Sequence, residues 1–330
     1  MQGLGMVWKI LLTQPIHEVG VRLLKEEAEV EMLNLRADTP QKTIAKHAED
    51  VDALITRLPK IGREVIDAAE RLKVIGKHGV GYDNIDIEAA TERSIPVVYT
   101  PYAPAEPVAN HTIGLILALA KGIVFADRKL REDPVEGWKL RYKFVGDTLR
   151  GRVLGLIGLG RIGSLVARFA KAFNMRVIYN DVVRKRDLER LLDIEYSSLI
   201  DLLKSSDFVS IHTPLTESTR GLIGEEELGL MKEDAYLINT SRGGIVDEDA
   251  LYEYLKNERI AGAALDVYAT EPISPDNPLL KLENVIVTPH MAANTHDFFI
   301  NAAKTVAEDV LRVLRGERPV YIVNPEVYHE

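Results

Sequence analysis

The 330-residue sequence predicts an α/β protein of two doubly wound domains, each built on a parallel sheet. Three observations predict it. Short apolar strand-like runs alternate with amphipathic helical segments over the first hundred residues, a proline-rich break follows, and the alternation then resumes with a glycine-rich turn at mid-sequence. The length agrees with about two domains.

In the first hundred residues strands are expected at 7–12, 30–34, 52–56, 73–76 and 96–99, the first being Val7-Trp8-Lys9-Ile10-Leu11-Leu12. Helices are expected between them at 16–28, 40–48, 62–70 and 86–93. Alternation of this kind implies helical crossovers and a parallel sheet. Pro101, Pro104 and Pro107 then mark a hinge or boundary. A long helix should run from about Val108 to Arg131, interrupted or loosened at Gly122. Strands are next expected at 153–157, 176–179, 207–211, 235–239, 261–265 and 284–287, enough for a six-stranded doubly wound sheet. A final helix at about 297–315 follows, and its pattern does not say which sheet it covers. No solenoid repeat and no low-complexity tract interrupts this order.

Charged residues at 28% and hydrophobic residues at 46% fit an ordinary globular protein. A net charge of −9 with no basic run argues against nucleic acid or an anionic membrane as partner, although a local cationic pocket can still take an anionic small substrate. The longest apolar run, Ile113 to Val124, is broken by Lys121 and is too short to span a bilayer. The N-terminus passes almost directly into a strand and shows no signal peptide, so a cytoplasmic location is expected. The absence of cysteine excludes disulfides, thiolate catalysis and cysteine metal sites, and no metal is expected.

The mid-sequence turn carries G-x-G-x-x-G at Gly158, Gly160 and Gly163, between an apolar run (Val153, Leu154, Leu156, Ile157) and a helical pattern from Ile162 to Phe173. Glycines there permit a tight turn and close backbone approach, and the helix N-terminus offers N–H groups to a pyrophosphate. Alone the pattern is weak, because a strand–helix turn with no ligand can carry the same glycines. Asp181 strengthens it, ending the run Arg176-Val177-Ile178-Tyr179, 18 residues past Gly163. A carboxylate there can accept hydrogen bonds from both ribose hydroxyls and repels a 2′-phosphate, so the expected cofactor is NAD rather than NADP.

Three polar segments fall at strand ends of the second half: Asn239-Thr240-Ser241-Arg242-Gly243-Gly244, Leu265 to Pro272, and Thr288-Pro289-His290. Ligands of open α/β sheets bind outside the carboxyl ends of strands, so these segments are expected to converge. They supply a fixed cation, a carboxylate and an imidazole. Arg242 can grip a carboxylate and polarise a carbonyl, His290 can give or take a hydroxyl proton, and Glu271 can fix the histidine tautomer. Each has a plainer alternative: Arg242 as a surface residue of a helix-start loop, Glu271 as a turn cap before Pro272, His290 as a satisfied core histidine.

Together with Gly79-Val80-Gly81-Tyr82-Asp83-Asn84-Ile85-Asp86 and His212-Thr213-Pro214-Leu215-Thr216, these ordered segments resemble the NAD-dependent D-2-hydroxyacid dehydrogenases along nearly the whole chain. The resemblance implies two Rossmann-like domains, with the NAD-binding domain (106–295) inserted in a split, flavodoxin-like substrate domain (1–105 plus 296–330). It implies Arg242, Glu271 and His290 as catalytic residues facing an interdomain cleft. Gly158, Gly160, Arg161, Ile162, Gly163, Asp181, His212, Thr213, Pro214, Thr240, Ser241 and Asp266 are implied on the cofactor, with Asp266 on the nicotinamide carboxamide. Arg57, Lys77, Val80, Gly81 and Asn84 are implied on the substrate, the Val80-Gly81 N–H groups meeting its carboxylate.

Formate-oxidising relatives carry Gln at the position of Glu271 and phosphite-oxidising relatives Lys at that of Val80, so both chemistries are disfavoured. The stretches Ile123–Arg131 and Pro214–Thr219 look like those of short microbial D-3-phosphoglycerate dehydrogenases, in which Arg57 and Lys77 would face a phosphate. D-3-phosphoglycerate is therefore the expected substrate, with hydroxypyruvate or glyoxylate as the alternative. A non-enzymatic NAD(H)-sensing, corepressor-like protein is the alternative from another class. Several positions depart from the pattern: Leu58 replaces a frequent Ser, Lys77 a common Arg, Asn110 a common acidic residue, and Met291–Thr295 a small-residue run. Lys77 weakens bidentate phosphate recognition, and Arg57 and Lys77 can equally be solvated loop cations. The family also implies a homodimer through about 108–150, where Ile113–Val124 and the Trp138/Tyr142/Phe144 cluster suit a buried contact or an intramolecular core.

Overall fold

The computed structural model describes residues 7–328. The chain forms two compact units, one from 1–104 with 294–330 and the other from 105–293. The first begins with β1 (Trp8–Leu12), α1 (Glu18–Lys25), β2 (Ala28–Met32), α2 (Gln41–Ala48), β3 (Ala53–Thr56), α3 (Arg63–Ala68), β4 (Val74–Lys77), α4 (Ile87–Glu92) and β5 (Val97–Val98). Its five strands are parallel, in the order β2-β1-β3-β4-β5. Ile10–Leu12 of β1, Ala53–Ile55 of β3 and Val74–Gly76 of β4 are buried and apolar because helices cover both faces of the sheet there.

The second unit follows with α5 (Ala105–Lys121), α6 (Ile123–Glu132), α7 (Pro134–Lys143), β6 (Val153–Ile157), α8 (Arg161–Ala172), β7 (Arg176–Asn180), α9 (Arg186–Leu192), β8 (Glu195–Tyr196), α10 (Leu199–Ser205), β9 (Phe208–Ile211), α11 (Glu225–Leu230), β10 (Tyr236–Asn239), α12 (Glu248–Lys256), β11 (Gly262–Leu265) and β12 (Val285–Val287). Its sheet is parallel with the order β12-β11-β10-β9-β6-β7-β8, seven strands where the sequence predicts six. The addition, β8, is two exposed residues and carries no apolar period from which it could be read.

The long helix expected at 108–131 is two helices. Gly122 takes a left-handed φ of 59° and the axes bend by 61°. A side chain at Gly122 would overlap the Phe144 ring, so the bend and the packing of the following arm require the same residue. α5 lies along β10 and β11, burying Ala109, Ile113 and Ile116 with Leu154, Leu156, Ile238 and Ala264. No single helix among the described residues is long and apolar enough to cross a membrane.

The last helix, α13 (His296–Leu314), returns to the first unit and packs on α1 and β4. Val306, Ala307, Val310, Leu311 and Leu314 close the core formed by Ile10, Leu12, Ile55, Val74 and Val98. Each Val or Leu buried in this way contributes roughly 1.5–3 kcal/mol, so the first sheet depends on a helix almost two hundred residues downstream of β5.

Candidate active site

Gly158 follows directly after β6, and its φ of 98° lets the chain turn beneath the 212–213 segment. A Cβ there would lie 2.7 Å from the His212 carbonyl oxygen. At Gly163, inside the first turn of α8, a Cβ would overlap the Gly158 carbonyl, which fixes how closely helix and strand approach. Gly160 is different, for its Cβ direction meets nothing within 4 Å. Arg161 and Ile162 begin α8, where a helix leaves its first N–H groups without intrahelical partners. Loop, open side and helix N-terminus together form a cradle that fits a pyrophosphate. Asp181 lies just beyond β7 and accepts from Leu159 N–H (Oδ2, 2.8 Å) and Val183 N–H (Oδ1, 3.0 Å). Its carboxylate thereby braces the glycine loop and keeps acceptor capacity on both oxygens.

The neighbouring segments lie in the same unit. His212 pairs with the buried Ser210 hydroxyl at 2.9 Å, and enclosure of its ring pushes the imidazole down to about 3, leaving it neutral. Thr213 carbonyl accepts the Ser241 hydroxyl, and Pro214 carbonyl accepts that of Thr219 at 2.6 Å. Asn239 closes the next loop: its side chain accepts Ser241 N–H and donates to Arg242 carbonyl.

Arg242 stands at the start of a short 3-10 turn (Gly243–Ile245), with Nη1 donating to Ser241 carbonyl at 2.8 Å. His290 follows β12 in a left-handed conformation, φ 48°, a strained geometry for a residue with a Cβ. Its Nδ1 lies 2.6 Å from Glu271 Oε2, while Glu271 Oε1 accepts Tyr268 N–H at 3.1 Å. Burial raises the Glu271 carboxyl. The His290 hydrogen bond and charge, the Tyr268 N–H and the Arg242 charge outweigh it and hold the group below the ordinary carboxylate value. A carboxylate on Nδ1 leaves Nε2 as the nitrogen for proton transfer. Arg242, Glu271 and His290 are thus brought together electrostatically from three separate strand ends.

Asp266, expected on a cofactor amide, is fully buried and engaged from within. Oδ1 accepts the Thr288 hydroxyl (2.6 Å) and Met291 N–H (2.9 Å), and Oδ2 accepts Ala292 N–H (2.8 Å). It therefore pins both flanks of the His290 turn and retains acceptor capacity for little more than one further donor. Tyr268 supports the same turn by donating its hydroxyl to Thr288 carbonyl at 2.9 Å.

The expected substrate residues of the first unit behave unequally. Val80 and Gly81 sit in the turn after β4, and neither N–H has a hydrogen-bond partner among the described residues. Lys77 is 7% exposed, with its ammonium on Arg57 carbonyl and on Asn84 Oδ1 at 2.7 Å. Asn84 in turn donates to Pro59 carbonyl at 2.8 Å. Both side chains tie down the 57–59 loop. Arg57 lies 5.1 Å over the Phe299 ring, and burial lowers its guanidinium from the ordinary value.

Sequence reasoning missed His78, His111 and Thr112 as structured polar groups, and named Thr288 only as part of the segment leading to His290. His111 and Thr112 stand out in retrospect as polar residues inside an apolar helical stretch, the one signal that could have found them. Among the described residues no group of three metal-ligating side chains is assembled.

Residues 113–292 match the family model described as D-isomer specific 2-hydroxyacid dehydrogenase, NAD binding domain. The chain is 45% identical over 323 residues to a glyoxylate reductase of Korarchaeum cryptofilum, covering 97% of this chain and 96% of that one. A D-3-phosphoglycerate dehydrogenase of Methanocaldococcus jannaschii is 44% identical, over 96% of this chain and 59% of the relative. The crystal structure of D-lactate dehydrogenase from Aquifex aeolicus, complexed with NAD and lactic acid, superposes with a TM-score of 0.81 at 32% identity, covering 94% and 96%. The chain belongs to the D-isomer-specific 2-hydroxyacid dehydrogenases, NAD-dependent enzymes acting on a hydroxyl group.

Proposed function

We propose that the chain reduces a small, unphosphorylated 2-keto acid of the glyoxylate and hydroxypyruvate kind. The observation that carries the reaction is the 2.6 Å Glu271–His290 pair, in the same unit as Arg242 and the dinucleotide cradle. The Arg242 guanidinium grips the substrate carboxylate and polarises the keto oxygen. His290 donates its Nε2 proton to that oxygen as the carbonyl becomes an alcohol, and Glu271 holds Nδ1–H so that the other nitrogen gives the proton. NADH, when bound, supplies the hydride. Gly158, Gly160, Arg161, Ile162, Gly163 and Asp181 would hold it, with Thr213, Pro214, Thr240 and Ser241 along its length. Val80 and Gly81 offer two unpaired N–H groups suited to a carboxylate.

The substrate class rests on Lys77 and Asn84, which spend their polar atoms on the 57–59 loop. D-3-phosphoglycerate, the substrate first expected from the sequence, stands as the second reading. One observation favours it: the Arg57 guanidinium has no hydrogen-bond partner among the described residues, and a phosphate would provide one.

Steady-state assays with glyoxylate, hydroxypyruvate and, in the oxidative direction, D-3-phosphoglycerate test both readings. Arg242→Ala and His290→Ala should each lower kcat/KM by about two to four decades while NADH still binds. A His290→Ala enzyme with near-normal turnover would sink the assignment. A phosphoglycerate preference abolished by Arg57→Ala would move the conclusion to the second reading.

A further inference from the structure

One turn of α5 carries two polar residues beside a face that buries Ala109, Ile113 and Ile116. His111 Nε2 lies 3.3 Å from Thr288 Oγ1. The Thr288 hydroxyl already donates to Asp266 Oδ1, so the hydrogen between His111 and Thr288 comes from His111. Thr112 is fully buried and meets Thr240 Oγ1 at 3.1 Å. It donates its own hydrogen to Val108 carbonyl at 2.8 Å, so Thr240 is the donor in that contact. His111 thus reaches the turn two residues before His290, and Thr112 the loop two residues before Arg242.

Packing alone does not ask for these side chains. A hydroxyl and an imidazole on the inner side of an apolar helix give up water hydrogen bonds, and apolar residues of similar size would fill the same space. Successive helical residues diverge by about 100°, so two neighbouring positions can brace two different loops from one rigid turn. The guanidinium and the imidazole must address one small substrate together, and a displacement of about 1 Å costs about a hundredfold in rate.

We propose that His111 and Thr112 are positioning residues for the reaction: adjacent side chains of α5 that fix the separation between the Arg242 loop and the His290 turn. This rests on the reading of Arg242 and His290 as the catalytic pair. The test is steady-state kinetics of His111→Ala and Thr112→Val in the intact chain with NADH and glyoxylate, expressed per NADH-binding site. We expect kcat to fall about 10- to 100-fold in each, a larger factor than the change in NADH affinity. His111→Gln, whose amide nitrogen occupies the place of Nε2, and Thr112→Ser should recover most of the rate. The primary isotope effect from 4-deuterated NADH should rise in the Ala and Val variants and return in the Gln and Ser variants, which mere loss of folded enzyme would not produce. Wild-type turnover in both His111→Ala and Thr112→Val overturns the proposal, as does a Gln or Ser variant that falls as far as its Ala or Val counterpart. If His111→Ala does not fold, His111→Gln against His111→Asn, whose amide stops short of Thr288, gives the same comparison. Arg242→Ala and His290→Ala are measured alongside. Normal turnover in those two would refute the catalytic reading, whereas normal turnover only in the α5 variants refutes the brace alone.

Discussion

His78 is the residue whose environment agrees least with its chemistry. It is 3% exposed, packs edge-on to Phe298 with centroids 5.4 Å apart, and neither ring nitrogen has a hydrogen-bond partner among the described residues. Burial, then the Arg57 and Lys77 charges, push its imidazole down to about 3 from 6.5. Below pH 6.5 the unfolded chain therefore takes up a proton that the folded chain refuses. Stability should fall as pH falls from about 6.5 to about 3, at up to roughly 1.4 kcal/mol per pH unit. His212 adds a second such contribution over the same window. His78→Leu should flatten the acid limb and raise the melting temperature near neutrality, since an unpaired buried polar group costs about 1–3 kcal/mol. Thermal melts between pH 7 and pH 4 check this, and parallel curves for the two proteins would count against it. Single residues are also where sequence reasoning ran short. The resemblance implied Lys77 and Asn84 as substrate residues, but their engagement with each other and the 57–59 loop depends on side-chain directions that no spacing encodes.

At the scale of elements, the glycine loop separates two duties that its motif merges. Gly163 sets helix–strand contact, whereas Gly160 faces open space at the α8 N-terminus. Gly163→Ala should therefore weaken NADH binding and lower the melting temperature together, overpacking costing about 1–3 kcal/mol. Gly160→Ala should weaken NADH binding and leave the melt in place. Fluorescence titration with NADH beside thermal melts distinguishes them, and a Gly163→Ala protein that binds and melts like wild type would refute the packing role. Elements with a strong period were legible: β1, β3, β4, β6 and β9 lie within two residues of their expected bounds. Those without one were not. β8 is two exposed residues, and α7, for which the sequence pattern named no helix, buries only Gly137 along its length. Its helicity is visible instead in the Asp133 cap, which accepts from Val135 and Glu136 N–H ahead of Pro134 at the first turn.

At the scale of the whole molecule, the chain order of the two units came from resemblance rather than periodicity. The amphipathic face of α13 fits any apolar sheet, and only the return of the chain to β4 and α1 assigns it to the first. The arm of α6 and α7 leaves a different question at this scale. Val135, Trp138 and Tyr142 are 70%, 59% and 77% exposed, and Ile123, Val124 and Val145 are exposed with them. Phe144 turns partly inward onto Gly122 and Phe125, so the aromatic cluster divides into one anchor and two outward rings. Six basic and four acidic residues fall within 123–145, so the arm does not carry the chain's net charge of −9 and adds little repulsion between copies. Outward aromatics on a patch with little net charge fit an isologous contact, in which the arm meets the same arm of a second copy or a surface beside it. The wild-type chain should sediment as a dimer at micromolar concentration. Trp138→Glu combined with Tyr142→Glu should shift it to monomer while NADH binding persists, because neither residue belongs to the cradle. A monomeric wild type, or a double variant as dimeric as the wild type, would remove this arm as the interface.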